Sequence, residues 1–223
     1  MDWNPIFISL KLAFFTTLIL LLAGIPMAYY FAFNKKRWGQ WADGLFSLPL
    51  IIPPTVLGFY LLMLFSPNNF FGHWLKATFG WELVFNFSGL LLASIIYNLP
   101  FMMQPLLAGF RNLPEHLREA SFLLGKGHLE TLWKVLLPNM RPAFWTSVML
   151  TFAHTLGEFG LVLMIGGNIP GKTRLVSIMI FEEVETLNYA AAHQYSLILL
   201  GLSLLSLFTI RLASKLQQHY DAD

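Results

Sequence analysis

Residues 119–138 read EASFLLGKGHLETLWKVLLP, and this stretch decides how the rest of the chain is arranged. It carries charges of both signs, while long apolar runs flank it on either side. Leu117, Ala120, Ser121 and Leu124 fall at i, i+3, i+4 and i+7, a small and apolar face of one short helix. Leu129, Leu132, Trp133 and Leu136 repeat that spacing, and Pro138 is expected to stop the second helix. Gly125 and Gly127 lie between them and can take the left-handed conformations that end a helix. The expectation is a helix-turn-helix. Its plain alternative is a surface connector between two membrane spans.

Composition places the chain in a bilayer. Hydrophobic residues make up 56% of its 223 residues and charged residues only 12%, about half the charged share of an average soluble domain. The mean hydropathy is +0.60. A net charge of +2 is too small to suggest a nucleic-acid partner, and no Lys/Arg cluster is interleaved with stacking aromatics. With no cysteine, disulfides, iron–sulfur clusters and thiol catalysis are excluded.

Five apolar stretches are long enough to span: about 6–33, 45–65, 87–110, 142–165 and 195–212, all in one domain covering 1–223. The first is led by Asp2 and is membrane-length, so it reads as a span and not a secretory signal. The second holds Pro49, Pro53 and Pro54, so its first turns cannot be regular helix and should pack against protein. The loop at 66–86 places Trp74 and Trp81 where a membrane interface would suit them. Charge sets the orientation. Lys35, Lys36, Arg37, Arg111, Arg118, Lys126, Lys134, Arg141, Arg211 and Lys215 fall on one side, and only Lys11, Lys76, Lys172 and Arg174 on the other. The positive-inside rule then puts the amino terminus outside, the carboxyl terminus in the cytoplasm and the loop at 111–141 in the cytoplasm. An odd span count argues against inverted-repeat carriers. Five helices are too few to enclose a channel comfortably, which favours a two-fold dimer with its pathway on the axis. The short tail after Leu212 is expected to hold no regulatory domain.

Three patterns could carry chemistry. Gly166-Gly167-Asn168-Ile169-Pro170-Gly171-Lys172-Thr173 satisfies the P-loop expression. The required preceding strand is missing, Pro170 lacks an N–H, and the stretch falls on the outer face, so a tight turn is expected. In the fourth span Ser147, Thr151, His154, Thr155 and Glu158 share one helical face. That face reads either as a pathway or gate lining, or as interhelical packing with Ser and Thr as glue. His154 and Glu158 alone do not make a metal site, and no cofactor is expected. An intramembrane enzyme or secondary carrier using His154 and Glu158 is the remote alternative. The spans also lack a central Lys or Arg, so an anion would meet no fixed counter-charge at mid-bilayer.

Glu119-Ala120-Ser121, Gly125 six residues after the glutamate, and Val135-x-Leu137-Pro138 resemble the EAA motif of ABC-importer permease subunits. The spacing matches throughout, with Ser121 and Val135 as mild departures and Lys126-Gly127 where alanine commonly follows the glycine. LPLIIPPTVLGFYLL, LGEFG and GGNIPGKTR are similar to the molybdate-type branch, and sulfate, thiosulfate and tungstate permeases share related segments. The resemblance implies an all-α membrane protein of the type I ABC importer (MetI-like) fold. It also implies a homodimer in the bacterial inner membrane, two cytoplasmic ATPase subunits and a periplasmic oxyanion-binding protein. Carried onto this chain, ATPase coupling falls to Arg118, Glu119, Ala120, Ser121, Gly125, Leu137 and Pro138. Thr151, His154, Thr155 and Glu158 are left as candidates for the pathway or gate. Glu119 and Arg118 are expected to pair with the ATPase, and Gly125 to permit the turn.

Overall fold

A computed structural model describes residues 2–34 and 37–220, without the side chains of 37–43, 207 and 209–220. Lys35 and Lys36 of the charge count lie outside the described residues, as do the side chains of Arg37, Arg211 and Lys215. Every element among the described residues is helical. In order they are α1 (Asn4–Phe33), α2 (Arg37–Ile51), α3 (Pro54–Phe65), α4 (Phe70–Phe79), α5 (Phe87–Arg111), α6 (Glu115–Leu123) and α7 (His128–Thr131). A π-turn (Leu132–Leu136) leads into α8 (Leu137–Asn139), followed by α9 (Arg141–Leu156), α10 (Gly160–Gly166), α11 (Val176–Glu185) and α12 (Tyr189–Tyr220).

Two of these helices, α1 and α5, are each long and apolar enough to cross a membrane. The second and fourth predicted spans are broken. α2 and α3 meet at 104° and α9 and α10 at 60°, so the count reaches four if each bent pair is one crossing. The predicted fifth span lies within α12. Local chemistry explains the first break. Against the expectation of irregular first turns, the second stretch is regular helix through Pro49 to Ile51; only the two consecutive prolines that follow interrupt it, by disfavouring the α region at Ile52 and Pro53. Pro53 is extended at φ −54°, ψ 137°, and Pro54 opens α3 at the position where a missing N–H costs nothing.

Two apolar cores mark the two ends of the bundle. One joins Leu20, Ile25 and Ala28 of α1, Phe46 of α2, Met102 to Phe110 of α5, and Leu132, Leu136, Leu137 and Met140. The other joins Ile8 and Leu12 of α1, Leu61 and Phe65 of α3, Leu90 and Ala93 of α5, Leu161 to Ile165 of α10, and Leu175 and Ile178. α1 and α5 therefore run in the same direction. Lys11 sits over the Phe87 ring near one end, and Phe33 meets Phe110 at the other. The pair α9–α10 runs the opposite way. Ala143 lies against Gly109 near the end of α5, and the Ile165 carbonyl accepts from Phe85 N–H just ahead of its start. α2–α3 runs the same way as α9–α10, from Phe46 in the first core to Phe65 in the second. α12 begins beside the start of α1, where the Asp2 N–H donates to Tyr195 Oη.

Lipid tails are as apolar as leucine, so close packing and interhelical hydrogen bonds hold membrane helices together, not escape from solvent. Gly58 shows this at the α3–α10 crossing. A Cβ there would lie 3.0 Å from Leu161 Cα and 3.0 Å from Met164 Cβ.

Candidate functional site

The elbow formed by α6 to α8 is a helix-turn-helix, with details that periodicity did not anticipate. Residues 121–126 close α6 through a Schellman arrangement. Gly125 N–H donates to the Phe122 carbonyl and Lys126 N–H to the Ser121 carbonyl. Gly125 takes φ +77° to do so, as expected. Gly127 does not, lying extended at φ −75°, ψ 170° before α7. Pro138 also does not stop the second helix. The backbone widens into the π-turn, Leu137 N–H reaches back to the Leu132 carbonyl, and the chain continues to Asn139. That register shift accommodates a residue with no N–H and a ring that would crowd the carbonyl four positions back. Asn139 Nδ2 then takes up the Val135 carbonyl at 2.6 Å.

The expected small-and-apolar faces are split by the tertiary structure. Ser121 is turned inward, 4% exposed, and its hydroxyl meets that of buried Thr131 at 2.9 Å, joining α6 to α7. Leu132, Leu136 and Leu137 enter the core. Glu119 and Ala120 face outward. Leu123, Leu124, Leu129 and Trp133 are also exposed, giving the elbow an uncovered apolar tip. Arg118 folds back with its guanidinium over the Phe33 ring, 4.3 Å from the centroid. On the outer side Lys134 lies 3.0 Å from Glu130 and holds that carboxyl below the usual range, mainly through their hydrogen bond.

The polar face of α9 divides into two chemistries. The hydroxyls of Ser147, Thr151 and Thr155 are bonded to their own helix, to the carbonyls of Phe144, Ser147 and Thr151 at 2.7, 2.8 and 2.8 Å. All three are buried and bond within their own helix, so the interhelical hydrogen bonds of the packing alternative are not made by these hydroxyls. His154 and Glu158 reach across to α5. Glu158, buried at the break between α9 and α10, accepts from Ser94 Oγ at 2.7 Å and from Asn98 Nδ2 at 3.5 Å. His154 Nδ1 meets Asn98 Oδ1 at 2.9 Å, and its ring stacks on Phe101. Because the helix is interrupted, the Glu158 carbonyl is free to accept from Ser177 of α11. The second carboxyl oxygen of Glu158 is buried without a hydrogen-bond partner among the described residues. Ser94, Asn98 and Ser177 were not anticipated. Asn98 had a legible signal, an amide inside an apolar span, where polar side chains face protein or a cavity.

The P-loop look-alike is a closed turn at the other end of the bundle. Gly167, Asn168 and Gly171 have positive φ. Thr173, which would face magnesium in a phosphate loop, instead donates to the Gly166 carbonyl and accepts from Ile169 N–H. Arg174 Nε donates to Asn168 Oδ1 at 2.9 Å, and Glu182 lies beside both. Among the described residues no three His, Asp or Glu side chains come together as a metal site.

The chain as a whole is similar to known proteins. A family profile described as binding-protein-dependent transport system inner membrane component matches residues 20–219. The chain is 44% identical to the molybdenum transport system permease protein ModB of Azotobacter vinelandii over 192 residues, covering 86% of this chain and 85% of that one. It is 34% identical to the sulfate transport system permease protein CysT of Escherichia coli over 203 residues, covering 91% and 73%. The probable sulfate permease cysT of Chlorella vulgaris is 31% identical over 211 residues, covering 94% and 77%. The match runs from inside the first long apolar helix into the last, and takes in both the elbow and the polar break. The chain therefore belongs to the binding-protein-dependent transport system inner membrane component family.

Proposed function

We propose that this chain is the membrane-spanning permease of an ABC importer that carries a tetrahedral oxyanion, molybdate, across the bacterial inner membrane. The observation that carries the reading is the 44% identity to a molybdenum permease along most of both chains, against 34% for a sulfate permease. Sulfate, thiosulfate and tungstate are the alternatives. The chain is a transport subunit and not an enzyme, since ATP hydrolysis in such systems resides in a separate subunit.

In the proposed assembly two copies of this chain form the pathway, two ATPase subunits dock on the elbows, and a periplasmic binding protein delivers the oxyanion. The elbow is cytoplasmic and the amino terminus periplasmic. Five crossings are supported by the alternating directions of α1, α2–α3, α5, α9–α10 and α12. The elbow and the turn at 166–173 occupy opposite ends of that bundle. Glu119 and Ala120, with the exposed apolar tip, face the ATPase. Ser121 and Gly125 hold the elbow's shape, and Leu137 and Pro138 join it to α9. ATP-driven closure moves the elbows and rocks the spans between inward- and outward-facing states. Of the candidate gate residues, Thr151 and Thr155 are packing residues of α9. His154 and Glu158 sit where α9 bends, a position suited to opening and closing.

The test is ATP hydrolysis by the reconstituted complex with its binding protein, measured with molybdate, tungstate and sulfate in parallel. Stimulation by molybdate and not by sulfate is expected. Stimulation by sulfate alone would overturn the assignment.

A further inference from the structure

We propose that Tyr29, Phe33 and His128 form a strut through which the elbow drives α1. The proposal rests on the reading of the elbow as the ATPase-coupling element. Each helix of the elbow grips the same end of α1. From α7, His128 Nδ1 is 3.1 Å from Tyr29 Oη. From α6, the Arg118 guanidinium covers the Phe33 ring, and Phe122 packs edge-on against His128 at 4.9 Å. Tyr29 and Phe33 lie one helical turn apart, their rings touch at 5.3 Å, and both meet fully buried Phe110 of α5 at 6.0 and 6.1 Å. The Ser121–Thr131 hydroxyl pair ties the two grips together. Any displacement of the elbow as a body must therefore pull on α1 or break this cluster.

α1 is suited to carry such a displacement. Its 30 residues reach about 45 Å at 1.5 Å per residue. Its far end is fastened to the other end of the molecule. Ser9 Oγ accepts from the Val176 N–H, an otherwise orphan donor at the start of α11, in a buried bond spanning 167 positions. Tyr195 Oη of α12 bonds the Asp2 backbone. A push at the elbow thus reaches α11 and α12 along one continuous helix, across the Pro26 turn that lies between Tyr29 and Ser9, beside the route through α9.

The experiment uses the full permease with its ATPase and binding protein, and measures molybdate transported per ATP hydrolysed together with ATPase co-purification. Tyr29→Phe and His128→Leu each remove the same hydrogen bond, and His128→Asn restores a group able to make it. Each of the first two should lower transport per ATP by roughly threefold to tenfold, the equivalent of one lost hydrogen bond, with ATPase co-purification unchanged. His128→Asn should recover most of it, and the double variant should be no worse than either single one. A purely structural role would reduce the amount of folded complex and leave the ratio unmoved. Wild-type ratios in both single variants, additive losses, or His128→Asn behaving like His128→Leu would overturn the strut. Glu119→Lys separates this failure from that of the reading beneath it. If Glu119→Lys leaves ATPase assembly and transport intact, the elbow is not the coupling element at all.

Discussion

At the residue scale, conformation and space make different demands, and Gly125 separates them. A Cβ at Gly125 would meet nothing within 4 Å, yet the backbone needs φ +77°. An L-residue held there costs about 1–2 kcal/mol, and a β-branched one is a true outlier. Gly125→Val should abolish ATP-dependent uptake with the transmembrane fold intact, whereas Gly125→Asn, which tolerates the left-handed region, should retain most of it. Uptake into vesicles checks both, and equal loss in the two variants would point to a steric role. Thr173 is the counterpart at the other end. Its hydroxyl serves one backbone carbonyl and one N–H of the closed turn, so Thr173→Val should lower stability by about 1–3 kcal/mol. Thermal unfolding in detergent reads that loss. Lys172→Ala, on the exposed side of the same turn, should leave both stability and uptake at wild-type levels.

At the scale of elements, the breaks in the helices shape the bundle. Pro53 and Pro54 bend the second predicted span, and the interruption at Gly157 to Phe159 bends the fourth. The two bent pairs meet, α3 on α10, with Gly58 at the crossing. Gly58→Leu should force the helices apart at a cost of about 1–3 kcal/mol, and Gly58→Ala should cost less. Melting curves should rank the two variants in that order, and a Leu variant as stable as wild type would show that the crossing relaxes freely. The break in the fourth span also explains how a carboxyl comes to be buried. At the interruption, Glu158 side chain and carbonyl both leave the helical pattern and are taken up by α5 and α11. A hydrogen-bonded polar group between membrane helices adds specificity that apolar packing alone does not supply.

At the scale of the whole molecule, the arrangement is a bundle with the elbow at one end and the closed turn at 166–173 at the other. Orientation is its main testable property, and the absence of native cysteine makes it accessible. Single cysteines replacing Lys126 and Lys172 should react with impermeant reagent from opposite sides of the membrane. Labelling from the same side would overturn the topology.

The sequence by itself determined the all-helical class, an irregularity at the prolines of the second apolar stretch and the elbow with its glycine. Each follows from local physics: apolar length, the fixed φ of proline, and the freedom of glycine. Only the tertiary structure decided which side of each helix is inside. The elbow's small and apolar positions divide between a side packed on the bundle and an uncovered tip, so spacing alone could not show that Ser121 turns inward while Leu124 and Leu129 stay exposed. Neither could spacing reveal that the hydroxyls of Thr151 and Thr155 close on their own helix, or that Glu158 is met by Ser94, 64 positions away. Contacts such as Ser9 with Val176 and Tyr29 with His128 depend on how distant helices are brought together, and no local pattern encodes that distance.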